Sequence, residues 1–489
     1  MSIIDISIIM INFAVNFHQN DIIFPKMLDK IGEFITEVAD ALCGYPLFLL
    51  LIGGGFFLWC YSGFASVRYL PAAMRALREK NSGADNGQIS SVQALASVVA
   101  ATVGMGNIAG VAIALVMGGP GAIFWMWVSA LVGMSTKFHE GVLAITYKGR
   151  NEYGEPQGGT MHIIEQGLGK GWRPLAVFFA VAGMFGTLAI MNANQLTEAV
   201  VSVFTTPAGL ESSGALSAIS SITGLSNDGA FRLLFGIGVA TLVAIVVLGG
   251  IKRIARVASV FVPFMVGLYF ALVLYIIVTH VQEVPGVFAS IFREAFNLRA
   301  GWGALAGIAI IGARRAALVN DAGIGTATIM HGASRNDRPV REGLIAMLGP
   351  AIDSGFVCTL TALAILLCGR VPEGEGIKGL EVAMNAFGAA MPGGQYALMF
   401  IVLCFALSSM FSYSYYGNRC AAYLFGEKRA RFYSYFFILT LILFAVIPVG
   451  AAVGLCDFFY ALMAFPTMTT LILLRRRVKD AVKREFNEI

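Results

Sequence analysis

The stretch Ala100-Ala101-Thr102-Val103-Gly104-Met105-Gly106-Asn107-Ile108-Ala109-Gly110 lies inside a long apolar run, yet it carries a hydroxyl, an amide and closely spaced glycines. In hydrocarbon an unwound backbone is tolerated only where protein buries it or where it lines a wet cavity. A helix broken here frees N–H groups at the start of its second half, where the positive dipole end suits a carboxylate. It also frees carbonyls at the end of the first half, and such hard oxygens suit a sodium ion. In this reading Thr102, Gly104, Met105, Gly106 and Asn107 form the substrate segment, with Met105 and Gly106 donating to the carboxylate. Ala100, Thr102 and Val103 offer carbonyls to a cation, and the Asn107 side chain supplies one more oxygen. Close helix packing through small residues is the competing explanation. A nucleotide loop is disfavoured, because the spacing is G-x-G-x-x-x-G and no βαβ pattern surrounds it.

A second stretch favours the break. Asn320-Asp321-Ala322-Gly323-Ile324-Gly325-Thr326 repeats the order small or β-branched, Gly, apolar, Gly, then amide or hydroxyl that runs through Val103 to Asn107. Paired glycine-interrupted segments in corresponding places are the best sequence pointer to a transporter's midplane site. Asp321, Gly323 and Gly325 thus join the candidate substrate residues, Asp321 facing a substrate ammonium or capping a half-helix. Asp353 is an acid well inside an apolar run and is a candidate cation ligand. Asn192 and Gln195 share a helical face and could line the site, whereas Asn194 points to a neighbouring helix. The adjacent hydroxyls of Ser408 and Ser409, beside freed carbonyls, would complete a second sodium site. His139 and Glu140 read as solvated at the inner end of a span, and Asp457 as a helix cap.

The elements that must position these residues are membrane helices. The chain has 489 residues, 57% hydrophobic and 13% charged. Runs long enough to cross a hydrocarbon core recur almost to its end. Candidate spans are 42–64, 91–117, 121–147, 173–203, 231–250, 256–279, 311–334, 343–369, 395–417, 432–450 and 452–474, eleven in all. An extracytoplasmic segment, 1–41, precedes them, and a basic tail, 475–489, follows. Residues 1–17 lack a basic start and a cleavage site, so they make a poor signal peptide. They read instead as an interfacial segment, with a twelfth span as the alternative. Basic loops such as Arg68 to Lys80, Arg335 to Arg341 and Lys428 to Arg431 alternate with loops poor in Lys and Arg. Placing the basic loops and Arg475-Arg476-Arg477 inside gives an external N-terminus and a cytoplasmic C-terminus. Topology explains the net charge of +5, with anionic lipid as its partner and no nucleic acid required. Arg314 and Arg315 fall at the outer end of the seventh span if it starts near 311, with 301–310 a re-entrant or surface helix, and lie deep if it starts near 303; the cost of an unpaired Arg in hydrocarbon favours the first. The seven cysteines follow no disulfide or zinc spacing and read as small core residues. The two breaks are five spans apart, so 91–279 and 301–474 can be inverted repeats behind one extra helix, 42–64.

The run ALASVVAATVGMGNIAGVAIALVMGGPGAIFWMWVSALVGMSTKFHEG resembles the alanine or glycine:cation symporter family. The likeness extends through YGEPQGGTMHIIEQGLG at 153–169, RPVREGLIAMLGPAID at 338–353, SYSYYGNRC at 412–420 and ALMAFP at 461–466. The resemblance implies an all-α polytopic membrane protein of leucine-transporter-like architecture, 5+5 inverted spans, here with one extra N-terminal helix. It implies that Thr102 to Asn107 holds the substrate carboxylate and part of one sodium site, with Asp353 another ligand of that site. It matches Ala100, Val103, Ser408 and Ser409 to a second sodium site. The family usually has Thr at Met105, Gln at Asn192 and Ser-Asn-Glu-Ala-Gly where this chain has Val319-Asn320-Asp321-Ala322-Gly323. The implied function is sodium-driven import of a small neutral amino acid across the cytoplasmic membrane, with no covalent or redox cofactor. Proton coupling through Asp353 or Asp321, or a neutral amino acid other than alanine, is the alternative. An intramembrane enzyme is disfavoured: His139-Glu140 is followed by Gly141, Val142 and Leu143, not H-E-x-x-H, and no ATP loop is present. A channel would call for rings of repeated charge, which are not evident.

Overall fold

A computed structural model describes residues 45–78, 88–204, 213–296, 302–368, 379–447 and 449–487. The expectations for residues 1–41 and for Cys43 lie outside the described residues. The described residues are mostly helical, because a backbone in lipid must satisfy its polar groups within its own segment.

The first helix, α1 (Tyr45–Tyr61), is followed by the amphipathic α2 (Leu70–Arg78). Next comes a pair bent by 56°, α3 (Ser91–Thr102) and α4 (Gly106–Gly118). Ser90 starts α3 with a capping box closed by Gln93. Then follow α5 (Gly121–Thr146), α6 (Arg173–Gly186), α7 (Ile190–Phe204), α8 (Gly214–Thr223), α9 (Asn227–Val247), α10 (Gly250–Thr279) and α11 (Val284–Ala295). The second half holds α12 (Trp302–Asn320), α13 (Thr326–Gly332), α14 (Pro339–Cys368) and α15 (Gly379–Ala390). It ends with α16 (Gly394–Phe425), α17 (Glu427–Val446) and α18 (Val449–Asn487). Among the described residues seven helices are long and apolar enough to cross a membrane, and eight if the bent pair is one span.

Three local differences from the expected spans have physical causes. Span four is interrupted between α6 and α7, where Ala189 takes the left-handed backbone (φ 55°). The expected surface helix at 301–310 is part of one continuous helix, α12, so Arg314 and Arg315 sit inside it, half-buried, rather than at its outer end. Asp457 of α18 attracts Arg315 and offsets part of the cost of burying a cation at that depth. Asp457 therefore does not cap a helix: α18 begins at Val449 and runs unbroken into the basic tail.

The segments flanking the two broken helices meet. Ile89 and Ser334 form a parallel bridge, with the Gln88 N–H on the Ala333 carbonyl at 2.9 Å and the Arg335 N–H on the Ile89 carbonyl at 2.8 Å. The start of α3 and the end of α13 thus lie at one end of the molecule. Glu342, fully buried at the start of α14, reinforces the junction by accepting from Ser91 Oγ (2.6 Å), His331 Nδ1 (2.6 Å) and Asn336 Nδ2 (3.0 Å).

Candidate binding site at two broken helices

The two breaks arise differently. At the first, no left-handed residue is needed; Gly104 is required for space. A methyl group on it would lie 2.7 Å from Ser409 Oγ and 3.4 Å from Asn192 Oδ1. Its N–H, which would close a turn onto the Ala100 carbonyl in a continuous helix, goes to Asn107 Oδ1 at 2.9 Å. The Ala100 carbonyl accepts instead from Ser408 Oγ (3.1 Å) and Ser409 Oγ (3.2 Å), while both hydroxyls also reach the Phe405 carbonyl. Met105 and Gly106 are the first residues past the bend, where N–H groups have no partner within the helix.

The second break is conformational. Asp321, Gly323 and Gly325 take φ of 51°, 87° and 93°, a backbone that Gly adopts freely and Asp more readily than most residues. The breaks face each other, since a methyl group on Gly106 would meet Val319 Cγ2 at 3.1 Å. Asp353 stands in a widened π-helical turn, Ala351–Val357, beside the first break. Such turns recur at functional sites because they release backbone groups. Here the Asp353 carbonyl accepts from Asn107 Nδ2 at 3.4 Å, and Ser354 Oγ donates to Asp353 Oδ1 at 2.6 Å. The Thr102 hydroxyl faces the same carboxyl without closing a hydrogen bond, and Thr102 Oγ1 and Asp353 Oδ2 are both buried with no partner.

Buried oxygens without a hydrogen-bond partner are costly, and a cation held between these two could satisfy both. One carboxylate and neutral oxygens suit a hard monovalent cation, and the described residues hold no cluster of three or more His, Cys, Asp or Glu for a transition metal. Around this centre the structure gathers Ala100, Thr102, Val103, Gly104, Met105, Gly106, Asn107, Asn192, Asp353, Ser408 and Ser409, all buried except the partly exposed Gly106. Gln195 is half-buried one turn along α7, while Asn194 donates to the Phe444 and Ile447 carbonyls, as expected of a helix-to-helix contact. Asp321 Oδ2 accepts from Tyr413 (3.2 Å) and Thr326 (3.4 Å), leaving Oδ1 unpartnered. Gly325 packs on Thr160 and Thr467.

His139 and Glu140 are not solvated: both are at most 1% exposed, as is Lys137. Lys137 Nζ donates to the Asp321 carbonyl at 2.9 Å, and Glu140 Oε1 accepts the Gly323 N–H at 2.9 Å. Lys137 and Glu140 themselves lie 3.5 Å apart. The pair clamps the second break from α5, whose Gly133 allows close approach to Asn320 and Ala322. The K-x-x-E spacing was the one available signal, since it puts both side chains on one helical face.

Comparison with known proteins places the chain in a family. In solved structures the chain resembles MhsT in complex with L-phenylalanine, with a TM-score of 0.52 at 17% identity, covering 78% of this chain and 89% of that one. At that identity the likeness is one of fold, the leucine-transporter type. It is 37% identical to the sodium/alanine symporter AgcS of Methanococcus maripaludis over 95% of this chain and 98% of the relative. The amino-acid carrier protein AlsT of Bacillus subtilis is 34% identical over 91% and 90% of the two chains. A third relative, named "Probable sodium/glutamine symporter GlnT" in Bacillus subtilis, is 31% identical over 93% and 91%. The model of the sodium:alanine symporter family matches residues 28–488. With the family model covering nearly the whole chain and relatives of 31% to 37% identity matched almost end to end, the chain belongs to the sodium:alanine symporter family of secondary transporters.

Proposed function

We propose that the chain is a sodium-coupled symporter that imports a small neutral amino acid by alternating access. The observation that carries this reading is the orphaned pair Thr102 Oγ1 and Asp353 Oδ2 beside the first break. A sodium ion there takes Asp353, Thr102 and Asn107 as ligands, and lies next to the N-terminus of α4, where Met105 and Gly106 receive the substrate carboxylate. A shared segment makes the two ligands bind cooperatively. A second sodium takes the carbonyls of Ala100 and Val103 with Ser408 and Ser409. Asp321 faces the substrate ammonium, Asn192 and Gln195 line the pocket, and Gly323 and Gly325 hold the second break open. Met105, where the family usually has Thr, narrows the pocket and sets which amino acid enters.

The architecture proposed is eleven spans, with 91–279 and 301–474 as inverted repeats behind one extra helix. The junction of Ile89 with Ser334 supports it, because α3 departs from the end at which α13 arrives. Basic loops and tail face the cytoplasm, in an inner membrane. A thermal-shift screen of purified protein tests the reading. Stabilisation by one or a few neutral amino acids in sodium, and none in choline, is expected. Equal stabilisation in choline contradicts sodium coupling, and a shift that follows pH without sodium favours the proton-coupled alternative.

A further inference from the structure

Where α1 ends, a cavity of about 500 Å³ opens between the chain that follows it, α5 and the C-terminal half of α18. Arg68, Arg475, Lys479 and Lys483 line it, and among the described residues no Asp or Glu does. Among the described residues none of these four cations forms a salt bridge. The acid nearest in sequence that does, Glu485, is tied to Arg338. The cations are held by aromatic rings instead. Arg475 lies 5.6 Å over Phe57 and 5.4 Å over Tyr61, Lys479 lies 5.1 Å from Tyr61, and Arg68 lies 5.4 Å from Tyr69. Phe486 closes the far side by stacking on Tyr69, with centroids 4.7 Å apart and planes at 8°. Arg475 Nη1 donates to the Ile472 carbonyl at 2.6 Å, but its Nε is buried without a partner.

Four like charges converging on one cavity repel one another, and an orphaned guanidinium nitrogen costs more still, unless an anion enters. An exposed apolar face lies beside the cavity: Phe57, over which Arg475 lies, and its neighbours Phe56 and Leu473 are each more than 40% exposed. A free phosphate would use the cations and leave that face unused. An anionic phospholipid uses both, its phosphate among the cations and its acyl chains along α1 and α18. We propose that this cavity is a binding site for one anionic phospholipid of the leaflet that bathes the basic end of the molecule. Naming that leaflet the cytoplasmic one rests on the orientation proposed above; the site itself does not. Its floor is formed by Phe138 and His139, on the same helical turn as Lys137 and Glu140. Cys60, read from the sequence as a core residue, is exposed in its wall.

Native mass spectrometry of the detergent-purified full chain, mixed with dioleoyl phosphatidylglycerol, dioleoyl phosphatidylcholine or inorganic phosphate, tests the assignment. One phosphatidylglycerol is expected to remain bound, phosphatidylcholine to be lost, and millimolar phosphate to leave the lipid in place. Arg475→Gln/Lys479→Gln should retain about twenty-five-fold less phosphatidylglycerol, since each of the two cations near an anionic lipid contributes about one factor of five. Lys479→Gln/Lys483→Gln, which alters only exposed side chains, should fall similarly and guards against misfolding. Equal retention by wild type and both variants overturns the site, as does equal retention of phosphatidylcholine. Displacement by phosphate overturns the lipid in favour of a free anion. Amino-acid thermal shifts measured on the same proteins keep the transport reading separate: their absence in wild type refutes that reading and leaves the lipid result intact.

Discussion

Asp353 has one oxygen bonded to Ser354 and the other facing Thr102 unpartnered. Asp353→Ala is expected to weaken apparent sodium affinity at least about tenfold, because an interaction with a charged group contributes about 1.5 kcal/mol or more. Isothermal titration of the folded variant should show substrate affinity falling with it. Normal affinity for both ligands would remove Asp353 from the site. At Gly104 the reason is steric: Gly104→Ala sets a methyl group 2.7 Å from Ser409 Oγ, and sodium-driven uptake should fall by about an order of magnitude or more while the protein still folds. Uptake like wild type would show that the break tolerates a side chain. Met105→Thr should change the ranking of amino acids in a competition assay, and an unchanged ranking would take Met105 out of the selectivity filter. These residues were legible in the sequence because a hydroxyl, an amide and glycines are out of place in a lipid-facing helix. Lys137 and Glu140 were not, because a Lys and an acid near a helix end resemble a solvated pair until the fold covers them.

At the scale of elements, α3 with α4 and α12 with α13 were legible as interrupted helices because glycine spacing is local. The break between α6 and α7 was not, since Thr187-Leu188-Ala189 carries no glycine and it is Ala189 that takes the left-handed backbone. Arg314 and Arg315 misled for a related reason: their depth depends on Asp457 in another helix, 142 residues further on for Arg315. The element that holds the second break is α5. Lys137→Met leaves Glu140 buried and uncompensated, which is expected to cost about 3–5 kcal/mol. Lys137→Met/Glu140→Gln removes both charges and should cost clearly less. Thermal denaturation in one detergent compares them. A double variant no more stable than Lys137→Met would show that the two side chains do not act as a pair.

Across the whole molecule, hydropathy and the alternation of basic loops made a polytopic chain legible, while the joining of its two halves at Ile89 and Ser334 required the fold. The orientation is open to direct labelling in a cysteine-free variant. An impermeant maleimide applied outside intact cells should label Gly286→Cys on α11 and spare Asp480→Cys on α18, both at exposed positions. The reverse pattern would invert the topology. Symport itself is tested most directly by amino-acid accumulation in proteoliposomes with an imposed inward sodium gradient. Sodium coupling at the first break predicts uptake above equilibrium that collapses when choline replaces sodium and is lost in Asp353→Ala. Accumulation that is unchanged in choline would contradict it.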